Sequence, residues 1–132
     1  HTAYRRQRQM CIRDSSTWKA IDPQPLSGPT AYTLAPVLWN RLVEIPSQHP
    51  QAQAAWLRGF ATDLALCAGM DPQYGMGAAV AREITNMFWY LKSARSGSNA
   101  ALADAARSLW VARALSGADV AGVNAHALKP IG

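Results

Sequence analysis

The alternation of apolar and polar residues along the chain follows a helical period almost throughout. Leu34, Val37, Leu38, Leu42 and Ile45 recur at three- and four-residue steps, interrupted only by Arg41. They predict a first helix from about Thr33 or Leu34 to about Glu44. Pro36 fits a first turn, where a missing N–H costs little, and Pro46 ends the run. A second helix opens at Pro50 with Trp56, Leu57, Phe60, Leu64, Cys67 and Ala68 on one face, and Gly69 stops it.

Asp71-Pro72 pairs a capping side chain with a proline at the first helical position. The third helix then runs to about Ala94. Gly75 and Gly77 weaken its first turns, which places the start of its regular part near Met76. Its apolar stripe is Val80, Ile84, Met87, Phe88 and Leu91, and Gly97 closes it. Ser98 or Asn99 caps a fourth helix reaching about Leu115. Leu102, Ala105, Ala106, Leu109 and Ala112 form its expected core face, widened by Trp110 and Val111. Ser116-Gly-Ala-Asp119 resembles a capping box with Asp in place of Glu, predicting a short fifth helix to about Leu128, ended by Pro130.

No strand pattern stands out. The expected fold class is all-α: an irregular bundle or orthogonal array of four main helices plus a short C-terminal helix. Before it, residues 15–33 form an extended Pro/Ser-rich lead-in, because Pro23, Pro25 and Pro29 forbid a helix there. Residues 34–132 make up the single helical domain.

Composition supports this reading and adds one anomaly. Ala occupies 25 of 132 positions, whereas Ile, Leu, Val and Phe together supply only 25. A core poor in branched aliphatics needs large plugs, and there are five Trp. Trp39, Trp56 and Trp110 are expected to fill space between helices. Trp89 and Tyr90 flank the third helix's stripe, so a partner surface is one reading of them and a second packing layer the other.

The net charge is +5, which invites a nucleic-acid or anionic-surface reading. Its distribution weakens that invitation. Residues 1–14 carry Arg5, Arg6, Arg8 and Arg13 against Asp14, three of the five net charges. The eleven residues from Arg5 to Ser15 resemble the translated read-through of a sequencing adapter, as found at the ends of open reading frames from metagenomic assemblies. That resemblance implies a non-native, disordered tail over 1–14 and a chain that is a fragment. Without it the balance is +2 and Cys67 is the one cysteine left, which fits a reducing cytoplasm.

Candidate chemistry is thin. Gly75-Met-Gly77 opens a helix but lacks the preceding strand of a dinucleotide fingerprint. Asp63 and Glu83 could face each other across two helices, yet pairing on helix rims with Arg58 or Arg82 is the plainer reading. Cys67 falls in an apolar stripe, the setting of an inert thiol. No cofactor or metal ligand set is expected, and no residue is assigned a catalytic role. The outline of helices four and five admits Asn124, His126 and Lys129 as nucleic-acid contacts, but residues 114–128 contain no Lys or Arg. A better basic set is Arg82, Lys92, Arg95, Arg107 and Arg113.

No stretch approaches the length of an apolar membrane span. Residues 15–132 carry no motif that resembles a known family. The expectation is a non-enzymatic, cytoplasmic protein-interaction module, a small subunit or fragment of a larger bacterial protein. It would bind a protein partner or its own copies through Trp89, Tyr90, Arg82 and Arg95. A small nucleic-acid-binding subunit is the first alternative, and a truncated helical domain of an enzyme is the second.

Overall fold

The structure is a computed structural model that describes residues 10–14, 17–21 and 30–128. Met10–Asp14 (β1) pairs antiparallel with Thr17–Ile21 (β2), Met10 opposite Ile21 and Asp14 opposite Thr17. No alternation in the sequence announces this hairpin; residues 1–9 of the expected tail and the Pro-rich stretch 22–29 of the lead-in lie outside the described residues. From Thr30 onward the described chain is all-α.

A 3-10 turn at Thr30–Thr33 leads into α1, Leu34–Trp39. This helix is shorter than its apolar stripe implies, since a second 3-10 turn replaces the rest at Leu42–Glu44. Leu34, Ala35, Leu38, Leu42 and Ile45 still all enter the core.

The three long helices follow their punctuation. α2 spans Pro50–Cys67, with Pro50 at its first turn. α3 spans Pro72–Arg95, and the Asp71 carboxylate accepts from the Tyr74 N–H at 2.8 Å. It is helical from its first residue, so Gly75 and Gly77 do not loosen its start. α4 spans Asn99–Ser116. It opens on the Ser98 side chain, which accepts from Ala101 N–H at 3.1 Å, and closes on Gly117 at φ 77°, where a residue without Cβ is favoured. α3 and α4 make the most extensive helix pair of the fold.

The predicted fifth helix does not form. Residues 118–124 are irregular, and only a 3-10 turn, Ala125–Ala127, follows. Ala121 and Gly122 both have positive φ, which no right-handed helix admits. The Asp119 side chain accepts from Ala121 N–H at 2.9 Å and so caps a turn. Tertiary contacts override the Ala-rich propensity here, because Val120 and Ala125 are drawn into the core.

A polar clasp holds this segment. Gln53, fully buried on α2, donates to the Ser47 carbonyl at 2.9 Å and to Asn124 Oδ1 at 3.0 Å. Its own oxygen accepts from Ala125 N–H at 2.8 Å. Asn124 donates to the Gln48 carbonyl at 2.9 Å, and His126 Nε2 lies 2.9 Å from the Ile45 carbonyl. Trp110 Nε1–H donates to the Val123 carbonyl at 2.8 Å. Asn124 and His126 are therefore committed inside the fold and do not form a base-reading edge. Lys129 lies outside the described residues.

The core is built mainly of small residues. Ala35, Ala54, Ala61, Ala65, Ala79 and Ala114 are wholly buried, around Leu38, Leu57 and Val111. Gly75 marks the closest approach: a Cβ there would lie 2.9 Å from Leu34 Cδ1 and 3.2 Å from Ala65 Cβ. Trp110 is buried, and Trp39 and Trp56 pack at the core's edge, with Trp56 stacked on Phe60 at 5.4 Å.

Candidate functional site

The small-residue core overturns part of two faces that apolar periodicity assigns to the interior, while Val80 on α3 and Ala105, Trp110, Val111 and Ala112 on α4 turn inward as expected. On α3 the buried line is Gly75, Ala79 and Glu83, while Ile84 and Phe88 point outward at 41% and 63% exposure. On α4 the buried set includes Ala101, Ala105, Ser108 and Val111, while Leu102 and Leu109 are 55% and 40% exposed. The physical reason is distance: helices that approach closely bury their small residues and turn bulk outward. Cys67, expected within the α2 stripe, is also exposed.

Two features result. The first is a polar cluster buried between α3 and α4. Glu83 has no exposed surface, and neither of its carboxylate oxygens completes a hydrogen bond. It is therefore an interior residue, and neither the rim pairing with Arg82 nor a dicarboxylate site with the exposed Asp63 is present. Burial pushes its pKa from 4.5 to about 7, with smaller opposing effects from the nearby Ser108 hydroxyl, Arg82 and Arg107. Ser108 Oγ and Asn86 Nδ2 are likewise buried without a hydrogen-bond partner.

Arg107 borders the cluster. It bonds Asp104 at 3.1 Å and holds its guanidinium 5.7 Å from the Trp39 ring centroid. Burial, with the Asp104 carboxylate nearby, pushes the Tyr90 hydroxyl above its usual range. Hydropathy patterning gave no sign of this cluster. The one available signal was Glu83 at a four-residue step beyond Ala79 and Gly75.

The second feature is the exposed bulk on α3 and α4. Among the residues expected to form a partner surface, Trp89 is 57% exposed and its ring lies 6.0 Å from that of Tyr90. Tyr90 itself is only partly exposed. Arg82 shares the Trp89 flank two turns back, but its guanidinium donates to the Tyr32 carbonyl at 2.5 Å and ties the first 3-10 turn to α3. Arg95 is exposed in the last turn of α3.

Of the basic set, Arg107 is buried and Arg82 is engaged; Lys92, Arg95 and Arg113 are exposed, and Arg113 also donates to the Asp119 carbonyl at 3.3 Å. Tyr32, Tyr74, Gly77, Ala78 and Ala81 line a shallow open depression with no titratable group other than the two tyrosines. Among the described residues no group of His, Cys, Asp and Glu has metal-ligand proximity, and no helix is long and apolar enough to cross a membrane. Comparison with protein-family models, curated proteins and solved structures returns no match.

Proposed function

We propose that this chain is a helical protein-interaction module whose working surface lies on α3 and α4. One observation carries the reading: Phe88, Trp89, Ile84, Leu102 and Leu109 stand exposed on the two longest-packed helices, while alanines fill the core beneath them. Large aromatic and aliphatic groups contribute little to folding when they face water, but they are the usual anchors of partner surfaces. Of the residues assigned to this surface, Trp89 and Arg95 are accessible to a partner. Tyr90 is half-buried beside Trp89, and Arg82 is engaged with the Tyr32 carbonyl. A cytoplasmic setting is part of this reading, and the exposed free thiol of Cys67 is compatible with it.

Selection from a displayed-peptide library tests the proposal. Enriched peptides should bind the full chain, and Phe88→Ala or Trp89→Ala should weaken them while far-UV circular dichroism stays unchanged. No enrichment, or enrichment indifferent to both substitutions, would overturn it.

A further inference from the structure

Two rows of residues on the α3–α4 pair share one spacing. On α3 the row is Ile84, Phe88, Leu91 and Arg95. On α4 it is Leu102, Ala106, Leu109 and Arg113. Each advances by four, three and four residues, so each is a single stripe along its helix.

The contacts beneath fix where these stripes point. Ser108 faces Glu83, which defines the sides by which the helices meet. Arg107 against Trp39 defines the side turned toward α1. Both rows lie about a quarter turn or more beyond the meeting line, on the side away from α1. The antiparallel register set by Glu83 and Ser108 brings Ile84 within about one helical turn of Leu109 along the axis, and Leu91 within about one turn of Leu102. The result is an apolar face two helices wide, with an arginine at each end.

Charge on this face has one sign. The only carboxylates along α3 and α4 are Glu83 and Asp104. The first is buried, and the second bonds Arg107 with 20% of its side chain exposed. Lys92, Arg95 and Arg113 are the exposed charges of the two helices.

We infer that this face docks an amphipathic helix whose apolar stripe is flanked by carboxylates. The inference rests on the interaction-module reading and narrows it to one partner class. A helix laid along the seam places apolar side chains between the rows and carboxylates near Arg95 and Arg113, a helix-in-groove geometry. A second copy of this chain would bring arginines against arginines. A lipid surface is served poorly by three cations, where polybasic lipid-binding segments carry about four to eight.

The test uses the full chain and three probes: a synthetic helix of about 18 residues with Leu at three- and four-residue spacing and Glu on both flanks, the same peptide with Lys flanks, and vesicles containing phosphatidylglycerol. Fluorescence anisotropy should show the Glu-flanked peptide bound about tenfold or more tightly than the Lys-flanked one at low salt, with the difference shrinking as salt rises. Phe88→Asp should weaken it about tenfold, and the pair Arg95→Glu with Arg113→Glu should reverse the preference. Equal binding of both peptides overturns the acidic class and leaves the interaction surface standing. Binding of neither peptide overturns both. Binding of vesicles but no peptide, or self-association abolished by Phe88→Asp, also overturns the inference.

Discussion

Glu83 on α3 and Ser108 on α4 are both fully buried, and the Ser108 hydroxyl only partly offsets the burial that disfavours the Glu83 carboxylate. An acid held this way retains its proton to about pH 7, well above its ordinary 4.5. Below pH 4.5 it is protonated both folded and unfolded and adds no pH dependence. Between 4.5 and 7 the unfolded chain ionises while the folded one does not, so stability falls as pH rises. The loss amounts to about 3 kcal/mol and levels off above pH 7. Urea unfolding from pH 4.5 to 8 should show this decline in the wild type, and Glu83→Gln should remove it. A decline of the same size in the variant would assign it to other groups.

Gly75 and Gly77 separate close approach from mere flexibility. Gly77 has open space where a Cβ would stand, so Gly77→Ala should stabilise α3 by about 0.5–1 kcal/mol. Gly75→Val has to displace Leu34 and Ala65 and should cost about 1–3 kcal/mol. Denaturation midpoints of the two variants should move in opposite directions. A shift of the same sign would contradict the close packing of α1, α2 and α3.

The punctuation of this fold was legible in its sequence. Pro50, Asp71-Pro72 and Ser98 each sit at the helix boundary that their chemistry predicts. The inward face of α1 and the turn after it was legible too, in Leu34, Leu38, Leu42 and Ile45, but those of α3 and part of α4 were not. Periodicity of bulk assigns Ile84, Phe88, Leu102 and Leu109 to the core, yet closely approaching helices bury Gly75, Ala79 and Ala101. The stretch after Asp119 reads as helix by composition, but its conformation is set by distant partners, Gln53 and Trp110, that no local pattern reveals.

Trp110 anchors that stretch through one hydrogen bond to Val123 as well as by burial. Trp110→Phe keeps most of the packing and loses the bond, at a cost of about 1–2 kcal/mol. Residues 118–128 should then be cleaved faster in limited proteolysis. Trp89→Ala, at an exposed site, should change stability by no more than about 0.5 kcal/mol. Comparable losses in the two variants would show that Trp89 is structural.

Exposure of Ile84, Phe88 and Leu109 makes the bulk on the outer face of α3 and α4 surplus to folding. A thermal melt of the triple variant Ile84→Ser, Phe88→Ser, Leu109→Ser, followed by far-UV circular dichroism, tests it most directly. Full helical content and a Tm within about 5 °C of the wild type are predicted. Loss of the cooperative transition, or a fall in Tm like that caused by emptying the core at Leu57, would show that these residues hold the fold together and would contradict the account.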